Sequence, residues 1–85
     1  LNDSMEYLVN LNNAMLVNNA MGSAASLIGK NVEVAVDNEA GEYENLIGQV
    51  KSASIKDGIV CLELELKGTG EMKEVEYSSL VKVTD

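Results

Sequence analysis

Glu63 and Glu65 are the first residues in this sequence to test for chemistry, since paired carboxylates can serve as general acid and general base. They alternate with Leu62, Leu64 and Leu66, so in a strand the leucines turn to a core while the glutamates share a solvated face with Cys61. No nucleophile, histidine or glycine-rich phosphate loop accompanies the pair, and the expectation is that the chain is not an enzyme. A second run of acids, in Asp37-Asn38-Glu39-Ala40-Gly41-Glu42, invites a calcium reading. The EF-hand spacing fails there, because Gly41 stands where an oxygen ligand is needed and Glu42 where glycine is needed, so a hairpin loop is expected. Cys61 is the one cysteine, which rules out an intrachain disulfide, and without histidine the usual zinc and copper sites cannot be assembled. No cofactor or metal is expected.

The totals bound the rest. A chain of 85 residues makes one domain at most, with a thin core built from Val, Leu, Ile and Met, because Tyr7, Tyr43 and Tyr77 are its only aromatic residues. Of the 14 acidic residues only Asp3 and Glu6 precede Gly29, which leaves twelve against the 6 lysines. With a formal charge of -8, neither nucleic acid nor an anionic membrane is an expected partner. No apolar run is long enough to span a bilayer, and no basic segment followed by an apolar one reads as a secretion signal, so a soluble protein is expected. The start at Leu1 rather than Met gives the expectation that this is the back part of a longer protein.

The elements divide at Ser26-Leu27-Ile28-Gly29-Lys30, with a helical segment over 1–26 and a β-rich segment over 27–85. Gly29 is the breaker, since without a Cβ it adopts positive φ and lets a helix turn into a strand, while Leu27 and Ile28 pin the helix exit. Val32, Val34 and Val36 alternate with polar or small residues as one strand, and Leu46 to Ile55 reads as a second. In that second strand Ile47, Val50, Ala53 and Ile55 mark core contacts whose uneven spacing implies a bulge or bend, which Gly48 would fit. Asp57-Gly58 is a tight turn into the third strand, Ile59 to Lys67, where Val60 joins the three leucines. Met72 to Tyr77 returns after Gly68-Thr69-Gly70 with Val75 and Tyr77 inward. One helical turn at Tyr77-Ser78-Ser79-Leu80 then leads to a last strand, Val81 to Val83, that pairs back onto the first. The pattern predicts a mainly β fold: a small five-stranded SH3-like or Tudor-like barrel preceded by one long N-terminal α-helix.

The helix carries its own pattern. Asp3 stands three residues before Glu6, as in a capping box, and no proline interrupts the segment. Met5, Asn12 and Asn19 are spaced by sevens, and Leu8, Met15 and Gly22 form a second series three residues on, as a and d positions do. An asparagine in such a seam fixes register and oligomer number. Met5, Leu8, Asn12, Met15 and Asn19 are therefore the candidate contacts for a homo-oligomer formed through the helix, or for docking onto another helix, against the plainer readings of wet positions on a lone helix packed on the barrel or of a partly frayed, asparagine-rich segment. Ser23-Ala24-Ala25-Ser26 suits close approach or a flexible joint.

Met5-Glu6-Tyr7-Leu8-Val9-Asn10-Leu11-Asn12, then Ser26-Leu27-Ile28-Gly29-Lys30 with Val32, and further on Ile47-Gly48-Gln49-Val50, Asp57-Gly58 and Ser79-Leu80-Val81-Lys82-Val83 carry a resemblance. Together they resemble the bacterial flagellar hook-capping, or hook assembly scaffold, proteins over nearly the whole chain. The likeness departs at Tyr7, where the family usually has Gln after Glu, and neither the family's Gln-rich upstream segment nor the immunoglobulin-like insertion of its larger members is present in these residues. The resemblance implies a compact, non-enzymatic scaffold, exported through the flagellar type III apparatus to the hook tip, where an oligomeric cap guides hook subunits into the lattice. The reading from a different class is a stand-alone SH3-like adaptor that binds a peptide beside Tyr43 and Tyr77.

Overall fold

A computed structural model describes residues 17–38 and 40–84. Its order is a helix, α1, over 17–25, then β1 Asn31–Asp37, β2 Tyr43–Lys56, β3 Ile59–Leu66, β4 Met72–Glu76, a 3-10 turn at Tyr77–Ser79, and β5 Leu80–Val83. All pairings are antiparallel, in the order β4-β3-β2-β1-β5. The described residues thus form a mainly β domain: one five-stranded antiparallel sheet and one short helix. The last strand pairs with the first as expected, with Val32 opposite Val83 and Val34 opposite Leu80.

β2 starts at Tyr43, three residues earlier than its apolar residues indicate, because Tyr43 to Gln49 pair with Asp37 to Asn31 of β1. Its later residues pair with β3, and there Val50 faces Leu64 while Ser52 faces Glu63, so Lys51 is an extra residue, a β-bulge. A bulge exchanges the two faces of a strand. Before Lys51 the even positions Leu46, Gly48 and Val50 turn inward, and after it Ala53 does. This corrects two of the expected contacts: Ile47 is 41% exposed, on the outer face before the bulge, and Ile55 lies on the inner face but at the sheet's open end, where it too is exposed.

Gly48 is not the kink. It sits where β2 crosses β3 closely, and a Cβ built on it would stand 2.7 Å from the backbone oxygen of Glu65. The kink belongs to Lys51. The β2–β3 hairpin closes through Asp57 and Gly58, both at positive φ, as a two-residue turn between strands with right-handed twist requires.

Val32, Val34, Val50, Leu62 and Leu64 are the largest fully buried side chains, and Ala24, Val60, Val75 and Leu27 complete the core. Tyr77 packs against it, as do Val17, Ala20 and Met21 of the helix. Among the described residues no polar side chain is buried, so the interior is held by aliphatic burial alone.

The two glycines outside turns should therefore respond oppositely to the same substitution. Gly48→Ala drives a methyl group into the β3 backbone and is expected to cost about 1–3 kcal/mol of stability. Gly22→Ala, in the helix with open space around it, should stabilise by up to ~1 kcal/mol. Denaturant unfolding of both variants checks the signs.

Candidate functional site

The region with most to offer a partner is the helix and its junction with the sheet. Val17, Ala20, Met21 and Ala24 follow the i, i+3, i+4, i+7 spacing of a single helix face, and this face lies on the sheet. Ala24 is fully buried, which explains the run of small residues around it: a larger side chain would hold the helix off the strands. Asn18, Asn19, Gly22, Ser23 and Ala25 are exposed. Asn19 and Gly22, the described members of the two heptad series, thus stand on the face turned away from the sheet. Met5, Leu8, Asn12 and Met15 lie outside the described residues.

The junction is tied down by backbone bonds. Gly29, at φ 91°, donates to the carbonyl of Val50 at 2.8 Å, and Val50 donates back to that of Lys30 at 2.9 Å. Lys30 also donates to Leu27 at 2.8 Å, and the Gln49 side-chain amide donates to the Gly29 carbonyl at 3.0 Å. Of the expected pinning pair only Leu27 is buried. Ile28 is 49% exposed, because the turn that buries Leu27 against the core points the next side chain to solvent.

The other candidates stand apart from this region. Asn38 closes the β1–β2 loop, its side-chain oxygen accepting from the amides of Ala40 at 2.9 Å and Glu42 at 3.1 Å, so the loop is a hairpin connection as expected. Among the described residues no group of carboxylates or thiol is placed to hold a metal ion. Glu63 and Glu65 do project from the outer face, where Glu65 pairs with Lys51 at 3.1 Å and Glu63 stands opposite Glu74. Tyr43 is 77% exposed at the start of β2, whereas Tyr77 packs against the core. They line different depressions, Tyr43 beside Asp37 and Glu74 and Tyr77 beside Val17 and Ile59, so no aromatic groove joins them.

Cys61 departs from the outward reading in one respect. It does sit between Ser54 and Glu76 on the outer face, yet it is only 8% exposed, and its thiol lies 3.8 Å from the Ile59 carbonyl. Alternation of side chains gave its face; the cross-strand neighbours that cover it are not visible in the pattern of one strand. Burial pushes the thiol above its ordinary value, the carboxylates of Glu74 and Glu76 push the same way, and Lys56 opposes them. Lys56 in turn is raised by its hydrogen bond to Glu74 and by that carboxylate's charge.

A thiol harder to ionise when folded favours the folded state below its unfolded pKa, and that contribution is lost as pH rises through the folded value. Alkylation of Cys61 by iodoacetamide is therefore expected to reach its half-maximal rate at higher pH in the folded chain than in denaturant. Glu74→Gln with Glu76→Gln should bring the two profiles closer.

No family model matches the chain, and no curated protein matches it.

Proposed function

We propose that the chain is a non-enzymatic assembly scaffold of the hook-capping type, working through its helix. The observation that carries this reading is the two-sidedness of α1. One face, with Val17, Ala20, Met21 and Ala24, is used up on the sheet, while the face with Asn19 and Gly22 is open. The series to which those two residues belong runs back through Met15, Asn12, Leu8 and Met5, a seam of apolar residues punctuated by asparagine. A helix built this way can hold its own domain on one side and a second helix on the other. In this reading residues 1–26 are the assembly element and residues 27–85 an SH3-like or Tudor-like barrel. The barrel reading is supported by the β5 to β1 pairing, by the bulged β2 shared between two pairings, and by the 3-10 turn ahead of the last strand.

The flagellar part of the proposal rests on the resemblance in the helix, the junction and the closing strand. Its partner would be the hook subunit, and its place the growing hook tip after export through the flagellar apparatus. The adaptor reading has less support, because Tyr43 and Tyr77 do not share a groove.

Light scattering across a concentration series tests the seam. The chain is expected to self-associate, and Asn12→Leu with Asn19→Leu to change the oligomer number while leaving the circular dichroism of the fold intact. A chain that stays monomeric at every concentration, or a double variant with unaltered mass, counts against assembly through the helix. The hook assignment has a separate test, restoration of hook growth in a flagellated strain that lacks its cap.

A further inference from the structure

β4 is an end strand of the described sheet, and the direction of its backbone groups follows from one bond. Leu66 donates to the carbonyl of Glu71, so the even residues of β3 and the odd residues of β4 face each other. The amides and carbonyls of Met72, Glu74 and Glu76 then point to the free edge. On β1, Thr84 donates to the carbonyl of Asn31, which directs the odd residues of that strand toward β5. The β5 pairing stops at Val34, so the backbone groups of Ala35 and Asp37 pass beyond its end. The depression between these two edges measures about 630 Å³. Val36 and Val75 give it an apolar wall, and its charged residues are Asp37, Glu74 and Glu76 against Lys73.

We propose that this cleft binds an extended, lysine- or arginine-bearing segment of a partner protein, added as a strand along the free edge of β4. An open edge offers main-chain hydrogen bonds in register, and alternate side chains of the incoming strand reach the flanking pockets. Charge selects the occupant. Glu74 is already paired with Lys56, and the remaining carboxylates, Asp37 and Glu76 against Lys73, favour cations whose heads meet those two. A second copy of this chain is a poor occupant, since its formal charge of -8 would set carboxylate against carboxylate. The proposal goes beyond assembly through the helix, which uses other residues, and either can fail alone.

The probe is a blocked heptapeptide alternating lysine with valine, titrated into the 85-residue chain and followed by amide chemical shifts and hydrogen exchange. The expected result is new exchange protection at the amides of Met72, Glu74 and Glu76, with no comparable effect from the same peptide carrying glutamate for lysine. Two variants separate charge from backbone. Glu76→Gln removes a carboxylate and keeps the N–H, and should weaken binding by about two- to fivefold. Glu76→Pro also removes the edge N–H, at a residue whose φ of -74° already suits proline, and should weaken it by about fivefold more. Equal binding by the two variants, equal binding of the glutamate peptide, or shifts spread over the acidic surface without protection at the edge would overturn the proposal. Protection of the same amides that rises with protein concentration and no peptide would overturn it in favour of a second copy. If the proline variant does not fold, the protection pattern of the unaltered chain decides.

Discussion

The 14-residue strand β2 hydrogen-bonds β1 through its first half and β3 through its second, and both pairings must bury side chains in one core. A regular strand cannot turn the right face inward along such a bent path. The extra residue at Lys51 resolves this by switching the buried positions from Val50 to Ala53, and Gly48 lets β3 pass close enough for Leu62 and Leu64 to reach Val32 and Val34. With no aromatic ring and no buried polar network among the fully buried side chains, those few aliphatic contacts and the backbone ladder carry the fold. A core of this size leaves a narrow stability margin.

The helix is part of the same constraint. Ala24 and Leu27 close one end of the core, and the exchange of bonds among Gly29, Lys30 and Val50 adds the junction to β2 as a short extension of the sheet. Surface charge plays a lesser part. Lys51 with Glu65 bridges the neighbouring strands β2 and β3, and Lys56 with Glu74 reaches from β2 across β3 to β4, both at exposed positions, where such pairs contribute little. The carboxylates of Glu74 and Glu76 on β4 instead add to burial in raising the cost of ionising Cys61.

Strand order and turns were legible because their signals are local. Alternation in Val32-Val34-Val36 and Leu62-Leu64-Leu66, Asp57-Gly58, and Gly29 each identify an element from a few adjacent residues. The return of β5 to β1 follows from the fold class those elements suggest. What could not be read depends on neighbours distant in sequence. Ile47 looks like a core residue until the bulge is placed at Lys51, and Ile28 looks like Leu27's equal until the turn after the helix sends them opposite ways. The start of β2 was missed because Tyr43, Glu44 and Asn45 owe their strand conformation to pairing with β1 rather than to apolar alternation. The edges left unpaired among the described residues are likewise absent from any sequence motif: that of β4 follows from its place at the end of the strand order, and that of β1 from the end of β5 pairing at Val34.

Ala24, fully enclosed between helix and sheet, ties the fates of the two together. Separating the helix from the strands would expose the core at Ala24 and Leu27, so the docked helix and the sheet are coupled in stability. Any molecule that grips the outer helix face of the folded chain alone therefore stabilises the sheet as well, by mass action, though it touches no strand. Occupancy of the helix becomes a property that thermal unfolding of the β domain can read.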